Sequence, residues 1–594
     1  MLQTQIVISI IILLVVIFYL FNFSKLPCKQ KSLLNKIDIL IITSLTAIYS
    51  TISFTHFASF YKYQNNLELT SPNQTVTITL NDQKPLKAFY YATGYLKGSY
   101  AISMLDQNNK NIIIDDKDEK LGYPPYFRWN MIDLTNKKTP HTIIITLTSG
   151  ILDLSQVLLI DMTNKIINNY QIHTNFNTKT MNLQNLKSSY LPGNDDNYVT
   201  STVFDEIYYA TSAYQYLTNT SPDVWVHPQL GVLSILVGIC IFGVSSLGWR
   251  VIPAIATILL LPLMYIFAKR IFEKPKIAII AMVLLMCEFM HFVLGRIGSL
   301  EPFVTLFLFL EYYYLYRYID NRVNGISYKI ASRNLLYAGI YWGLAISSKW
   351  NALYSALMII MSIIYVELIR NKSSISRIPQ KFIHSILQFV LIPLLIYVLV
   401  YIPYAYINNY SNLWQSVDQL QHGMLDFNLG LIHATHPYAS RFWSWPLDFK
   451  PLSVYFWQKG AMSSSIVIMG NPLIFWSFIP VTLFLMYMVI HDKKDYRALF
   501  LLGSMLSLYL PYALVSRISF IYYFYSITPF LILSICYAIN KMLAIQKTWV
   551  PVVVYSYIGI TVLLFILFYP ALAGIEFWRT YVTHALLWFA TWNF

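Results

Sequence analysis

Long apolar runs recur along this chain, separated by short polar linkers that carry most of its basic residues. From residue 249 onward, runs at about 251–268, 277–295, 302–319, 335–348, 351–369, 384–403, 473–490, 498–515, 520–540 and 550–570 read as membrane-crossing helices. Two more precede them, Ile6 to Phe23 and Ile37 to Phe60. Between Tyr61 and His227 the pattern changes. No apolar run there matches the ~18 residues that a span needs. Instead Thr75 to Leu80, Ser99 to Leu105 and Thr142 to Leu147 alternate or are β-branched, with Asn, Asp, Gly and Pro clusters between them. These predict a small antiparallel β-sandwich outside the membrane. The fold class is therefore an all-α polytopic membrane protein of about 12–13 helices with an inserted β-rich domain.

The chain divides on this pattern into 1–60, two N-terminal helices; 61–200, the β-rich insertion and a polar linker; 201–248, an external loop with juxtamembrane helices; 249–403, membrane helices; 404–472, a long external loop; and 473–594, C-terminal membrane helices. The run Leu230 to Val244 is short for a span and reads as a juxtamembrane or re-entrant helix, and 576–592 is a possible last span.

Composition supports the membrane class: of 594 residues, 56% are hydrophobic and 12% charged. The net charge of +14 follows topology rather than nucleic acid, because the cations fall in short linkers. Lys25, Lys29, Lys31 and Lys36 put the first linker inside, and the clusters Arg317 to Arg333, Arg370 to Lys381, Lys493 to Arg497 and Lys541 to Lys547 agree in phase. The first run lacks the basic start and small-residue cleavage site of a signal peptide, so it is expected to be retained. The four cysteines lack the spacing of a zinc site or a disulfide framework.

This topology assembles one external set of polar residues. It comprises Asp205 and Glu206, Arg296 with Glu301, Ser348-Lys349-Trp350, Arg517, and the His433 to Pro446 run, which holds His436, Trp443 and Trp445. Charges beside hydrocarbon are costly, so their retention points to function. Each also has a structural reading. Arg296 and Glu301 could form a salt bridge at a helix turn, Lys349 and Arg517 could snorkel, and Asp205-Glu206 could be a solvated loop. His433 and His436 have i, i+3 spacing, but Pro437 interrupts any helix that would make them metal ligands. As a set, these residues suit transfer from a lipid-borne phosphate: cations neutralise the leaving phosphate and a carboxylate takes a proton from an acceptor hydroxyl. No P-loop or dinucleotide fingerprint supports a cytosolic donor. A transporter would need an internal repeat and mid-span ionisable groups, of which only Glu288 and Glu311 are present.

A series of motifs between 200 and 540 resembles the dolichyl-phosphate-mannose protein O-mannosyltransferases, a branch of the GT-C membrane glycosyltransferases. They are Phe204-Asp205-Glu206, His227-Pro228-Gln229-Leu230-Gly231, Gly248-Trp249-Arg250, His291 with Arg296-Ile297 and Leu300-Glu301, Ser348-Lys349-Trp350, Ala434-Thr435-His436-Pro437-Tyr438 through Trp443-Ser444-Trp445-Pro446, Gly470-Asn471-Pro472, and Tyr522-Tyr523-Phe524. The resemblance implies transfer of mannose, with inversion, from a polyprenyl-phosphate carrier to Ser or Thr of exported proteins, without metal or cofactor. It implies that Asp205 is the general base and that Glu206 shapes the acceptor site. Arg296, Lys349 and Arg517 would meet the donor phosphate, and His227, Glu301, His433, His436, Trp443 and Trp445 would bind substrate. Gln229 stands where the family usually has proline, Val232 where a basic residue is common, and Glu301 where Asp is usual. Together with the β-rich insertion and the missing luminal domain of eukaryotic members, this points to a bacterial plasma-membrane enzyme whose site faces outward. Another polyprenyl-linked sugar, or a lipid or polysaccharide acceptor, is the alternative.

Overall fold

The structure is a computed structural model that describes residues 33–63, 67–81, 84–118, 126–178, 182–188, 198–366, 385–492 and 495–594. The run Ile6 to Phe23 and the linker cations Lys25, Lys29 and Lys31 lie outside the described residues, as does the Arg370 to Lys381 cluster. The chain forms two compact units. The smaller is Ala58–Leu217 with Leu236–Trp249; the larger contains Thr218–Ile235, Arg250–Phe594 and the N-terminal residues up to Phe57.

Among the described residues, six helices are long and apolar enough to cross a membrane: Lys36–Phe54, Ser246–Phe272, Leu387–Ile407, Pro472–His491, Tyr496–Leu514 and Trp549–Ala573. The helices Glu301–Val323 and Tyr328–Ser348 are as long but more polar, and Pro275–Met286, Trp350–Ile364 and Thr528–Leu543 are shorter apolar segments. Leu230–Phe242 is a 13-residue helix, too short for the ~20 residues of a span. Burial separates central from peripheral helices. The most apolar window of Ser246–Phe272 is 83% buried, whereas that of Trp549–Ala573 is 22% buried and turns Val552, Leu563 and Ile566 outward, as a lipid-facing helix does.

Local chemistry fixes where these helices start and break. Asn35 and Asp38 form a capping box at Lys36–Phe54, each side chain accepting the other's backbone N–H at 2.9 and 2.7 Å. The buried Asp38 carboxylate also pairs with Lys269 and accepts from Tyr265 Oη at 2.6 Å, tying this helix to Ser246–Phe272. The apolar run 277–295 is not one helix. It breaks at Glu288, which caps Phe289–Leu294 by accepting the His291 N–H at 2.6 Å and also accepts from Asn471 N–H at 3.3 Å. Glu311 is likewise buried and accepts from Ser355 Oγ at 3.0 Å.

The 404–472 stretch is more ordered than a loop. It carries the helix Leu413–Gly430 and a hairpin of strands Leu452–Lys459 and Met462–Ile468. The possible span at 576–592 is corrected: Phe577–Trp578 adds a third strand to that hairpin, and only short helical turns follow, at Arg579–Tyr581 and Val582–Leu586.

In the smaller unit, β1 (Leu67–Leu69), β2 (Thr75–Leu80), β3 (Leu86–Leu105), β4 (Asn111–Asp118), β5 (Arg128–Asp133), β6 (Thr142–Asp161), β7 (Ile166–Ile167) and β8 (Tyr170–Thr174) form one antiparallel sheet. The expected sandwich is thus hydrogen-bonded as a single sheet. Ser99 to Leu105 and Thr142 to Leu147 are halves of two 20-residue strands that pair from Leu86↔Asp161 to Leu105↔Thr142. β4 and β5 pair with opposite ends of β3. Along β2, Val76, Ile78 and Leu80 are buried and the threonines between them are not, the period of two that a sheet with one covered face requires.

Both long strands bend where Gly98 pairs with Gly150, at φ +106° and +80°. A Cβ on Gly150 would stand 1.7 Å from Lys97 O, so neither the backbone angle nor the space admits a side chain. Gly150→Val is expected to destabilise this unit by at least about 2 kcal/mol, read as earlier proteolysis within 58–217 of the detergent-solubilised protein under a urea gradient.

Candidate active site

The larger unit holds a cavity of about 220 Å³ lined by His227, Lys349, Asn351, Asn428, Arg517 and Tyr523, with apolar and tyrosine side chains closing the rest. Its geometry starts with the backbone. The helix Tyr328–Ser348 stops at Lys349, which is extended (φ −162°, ψ 140°), and a 3₁₀ segment starts at once at Trp350. Lys349 Nζ pairs with the Glu301 carboxylate, and both groups are buried. Glu301 stands in the first turn of Glu301–Val323, where the positive end of the helix dipole favours a carboxylate. The Lys349 ammonium also lies over the rings of Tyr522 and Tyr523, at 5.2 and 5.4 Å from their centroids. The Arg517 guanidinium lies 5.6 Å from the Tyr523 centroid, so both cations share one ring.

Charge follows from these contacts. Burial of the His227 ring, then the nearby Lys349 and Arg517, hold its pKa well below the usual histidine value, so the imidazole is neutral. Among the described contacts of this cavity, two cations, Lys349 and Arg517, stand with one carboxylate, Glu301. That set suits a phosphodiester, which carries one negative charge. Arg517 can bind its oxygens in bidentate fashion and Lys349 supplies a point charge.

The wall behind the cations is aromatic. Tyr512 and Tyr523 stack at 5.7 Å, and the fully buried Trp445 meets their edges at 5.0 and 6.0 Å while its indole N–H donates to Ser440 Oγ at 3.1 Å. Trp445 therefore supports the wall rather than lining the cavity. Trp443, His433 and His436 are exposed and do not line it. His436 Nδ1 accepts from the Tyr438 N–H at 3.2 Å, and its ring packs edge-on to Phe520 at 5.2 Å. Among the described residues, no group of three or more His, Cys, Asp and Glu side chains could hold a metal ion.

Arg296 is placed apart from this cavity. Its guanidinium donates to the carbonyls of Ser53, of His56 at 2.9 Å and of Ala573 at 3.3 Å, and lies 4.9 Å from the Phe292 ring. Of the three cations read from the sequence, the structure brings Lys349 and Arg517 together, and it pairs Glu301 with Lys349 rather than with Arg296.

Asp205 and Glu206 belong to the smaller unit. Glu206 is buried, and its Oε2 accepts the Val203 N–H at 2.8 Å while its own N–H donates to Val203 O at 3.1 Å. That reciprocal pair fixes the entry to the helix Glu206–Leu217 and follows Phe204 at φ +51°. Asp205 immediately precedes the helix, is half-buried, and its carbonyl accepts from Tyr208 and Tyr209 N–H at 3.0 and 3.2 Å. The adjacent carboxylates thus differ: Glu206 holds the backbone, and Asp205 keeps partial solvent access. The sequence reading left Asn351, Asn428, Tyr512 and Tyr523 unassigned. Only the Tyr522-Tyr523 pair was visible as a motif, since nothing local marks the other three.

Comparison with known family models covers the chain from residue 197 to 592. Residues 197–407 match the model of the dolichyl-phosphate-mannose-protein mannosyltransferase family, and 413–592 match that of the C-terminal four-helix transmembrane region of protein O-mannosyltransferases. A polyprenol-phosphate-mannose–protein mannosyltransferase of Mycobacterium tuberculosis is 25% identical over 435 residues, covering 63% of this chain and 83% of that one. Its counterpart in Corynebacterium glutamicum is 23% identical over 463 residues, 66% of this chain and 88% of that one. The S. cerevisiae protein O-mannosyltransferase Pmt1-Pmt2 complex bound to its sugar donor shares the fold, with a TM-score of 0.58 at 13% identity over 66% of this chain and 89% of that one. With two successive models matched from 197 to 592 and the GT-C helical architecture in place, this chain belongs to the dolichyl-phosphate-mannose-protein mannosyltransferase family.

Proposed function

We propose that this integral membrane protein is an inverting glycosyltransferase that moves mannose from a polyprenyl-phosphate carrier to Ser or Thr hydroxyls of exported proteins, on the outer face of a bacterial plasma membrane. The observation that carries this reading is the cavity in which Lys349 and Arg517 meet over the ring of Tyr523, in a chain of this family. In this reading the acceptor oxygen attacks the anomeric carbon opposite the phosphate, and the bond from that carbon to the phosphate oxygen breaks. Asp205 takes the hydroxyl proton. The leaving polyprenyl phosphate gains a second negative charge, which Lys349 and Arg517 stabilise as it develops. Glu206 acts on the reaction by holding the backbone at Asp205.

A second reading keeps this chemistry and changes the sugar or the acceptor. It is favoured by the eight-stranded sheet, all of whose strands precede residue 197, where the family match begins. Transfer assays with several polyprenyl-linked sugars, each against a Ser/Thr peptide and a lipid acceptor, separate the two readings.

Three outcomes test the site. In proteoliposomes supplied with polyprenyl-phosphate-mannose and a Ser/Thr peptide, Asp205→Asn is expected to lower turnover ~10²–10⁴-fold; unchanged turnover refutes the base assignment. Lys349→Met leaves Glu301 buried and unpaired, which costs about 3–5 kcal/mol of stability, so the informative variant is K349M/E301Q. That double variant is expected to regain the wild-type melting temperature and still lose ~10²–10³-fold in turnover. The third outcome concerns His227, whose depressed pKa keeps it neutral. Its ring resonance is expected not to titrate between about pH 6 and 8 in the free enzyme. A bound phosphate adds negative charge beside the ring and must raise that pKa, so the midpoint should move up when polyprenyl phosphate is added. A midpoint near the free-histidine value without ligand would refute both the burial of the ring and its placement against the two cations.

A further inference from the structure

A closed hydrogen-bond circuit begins one residue after Lys349. The Trp350 indole N–H donates to Tyr397 Oη at 2.9 Å, and Tyr397 O–H donates to Gln421 Oε1 at 2.7 Å. Gln421 Nε2 donates to Tyr401 Oη at 3.1 Å, and Tyr401 O–H returns to Tyr397 Oη at 3.0 Å. The Tyr397 oxygen therefore gives one hydrogen bond and accepts two. Only one orientation of the Gln421 amide serves both tyrosines, since its oxygen must face Tyr397 and its nitrogen Tyr401. Tyr401 is fully buried and the others are half-buried, so water does not freely replace a lost member.

Gln421 sits on the helix Leu413–Gly430, which reaches the cavity in two further ways. Asn428, two turns along, lines it directly. Gly423 faces the Trp225 ring so closely that a Cβ would stand 3.1 Å away, and Phe427 meets that ring edge-on at 5.9 Å. Trp225 lies two residues before His227. One helix thus grips both walls of the cavity, the His227 segment through Trp225 and the Lys349 segment through Trp350. The grip matters at Lys349 because its extended backbone separates two helical segments, and neither segment's own hydrogen bonds dictate that break.

We propose that Gln421 is a positioning residue for the donor phosphate, acting through Tyr397 and Trp350 to fix the backbone at Lys349 and with it the ammonium group. This rests on the reading of the cavity as a phosphodiester site. The role demands two acceptor or donor functions on one short side chain at this place in the helix. Leu at 421 preserves size and helix propensity and removes both functions. Glu keeps a contact to each tyrosine, because its carboxylate can accept from both hydroxyls once the Tyr401 O–H turns from Tyr397 to it.

The test uses the full-length enzyme in lipid nanodiscs. It measures affinity for a polyprenyl phosphate without sugar, and kcat/KM separately for the mannosyl donor and the peptide acceptor. Q421L and W350F, which keeps an aromatic ring of smaller size at this lining position and loses the indole N–H, are each expected to lose ~10-fold in polyprenyl phosphate affinity and in donor kcat/KM. The acceptor KM is expected to stay within about twofold, Q421E within about threefold of wild type, and W350F/Q421L no worse than the weaker single variant. Unaltered phosphate affinity in Q421L, an equal loss on the acceptor side, or additive losses in the double variant would each overturn the positioning role while leaving the cavity reading intact. Failure of the wild type to bind polyprenyl phosphate would overturn the cavity reading and this role with it. Phosphate binding without mannose transfer would instead reject the mannosyl donor alone and leave the binding comparison decisive for Gln421.

Discussion

The buried ion pair of Lys349 and Glu301 is the constraint around which the candidate site is organised. Taking two charges out of water costs several kcal/mol each, and apolar residues of the same size would often stabilise a fold better. This pair is held by more than mutual attraction: Glu301 has the amino end of its helix, and Lys349 has the faces of two tyrosines. The pair sits at the break between Tyr328–Ser348 and Trp350–Ser355, where Lys349 is extended. That break brings Asn351 and Tyr354 to the same cavity and sends the Trp350 indole toward Tyr397.

Arg296 shows the opposite solution to burying a cation. Its two terminal nitrogens are occupied by three carbonyls, and Phe57 and Phe292 flank the guanidinium. A guanidinium held this way joins Lys36–Phe54, the segment after it and the end of Trp549–Ala573. Lys349 and Arg517 differ because their described contacts include one carboxylate and ring faces, and both line the cavity. In sequence the three cations look alike, each a lone basic residue at the end of an apolar run. What separates them is how many carbonyls surround each one, and that is a tertiary property.

The same limit explains how far the rest was legible. Helix positions were readable because hydrocarbon demands long apolar runs, and β2 was readable because its one covered face imposes strict alternation. The long strands β3 and β6 were read as shorter pieces because Gly98 and Gly150 look like turn residues, whereas they permit a bend within a continuous pair. The helix Leu413–Gly430 was hidden because its buried positions, Ser416, Val417, Leu420 and Met424, are few and lie among Gln, Asp and His. Glu288 read as a mid-span charge, yet it caps a helix that the apolar run concealed. The pairing of Glu301 with Lys349, and of Lys349 with Tyr523, joins residues far apart in the chain, and no local pattern encodes it.

Under the proposed reaction, the charge inventory of the cavity has a kinetic consequence. The donor is a monoanion and the released polyprenyl phosphate carries up to two negative charges. Two uncompensated cations would therefore hold the product more tightly than the substrate, and product release would suffer. Glu301 tempers Lys349, which brings the resting charge closer to that of the donor. The second negative charge appears only as the bond to mannose breaks. His227 is placed to answer it: burial first and then the two cations hold its imidazole neutral, and the developing charge offsets the cations' share. A site built this way binds the donor and increases its stabilisation as the leaving group forms. That difference between ground and transition state is what accelerates a reaction.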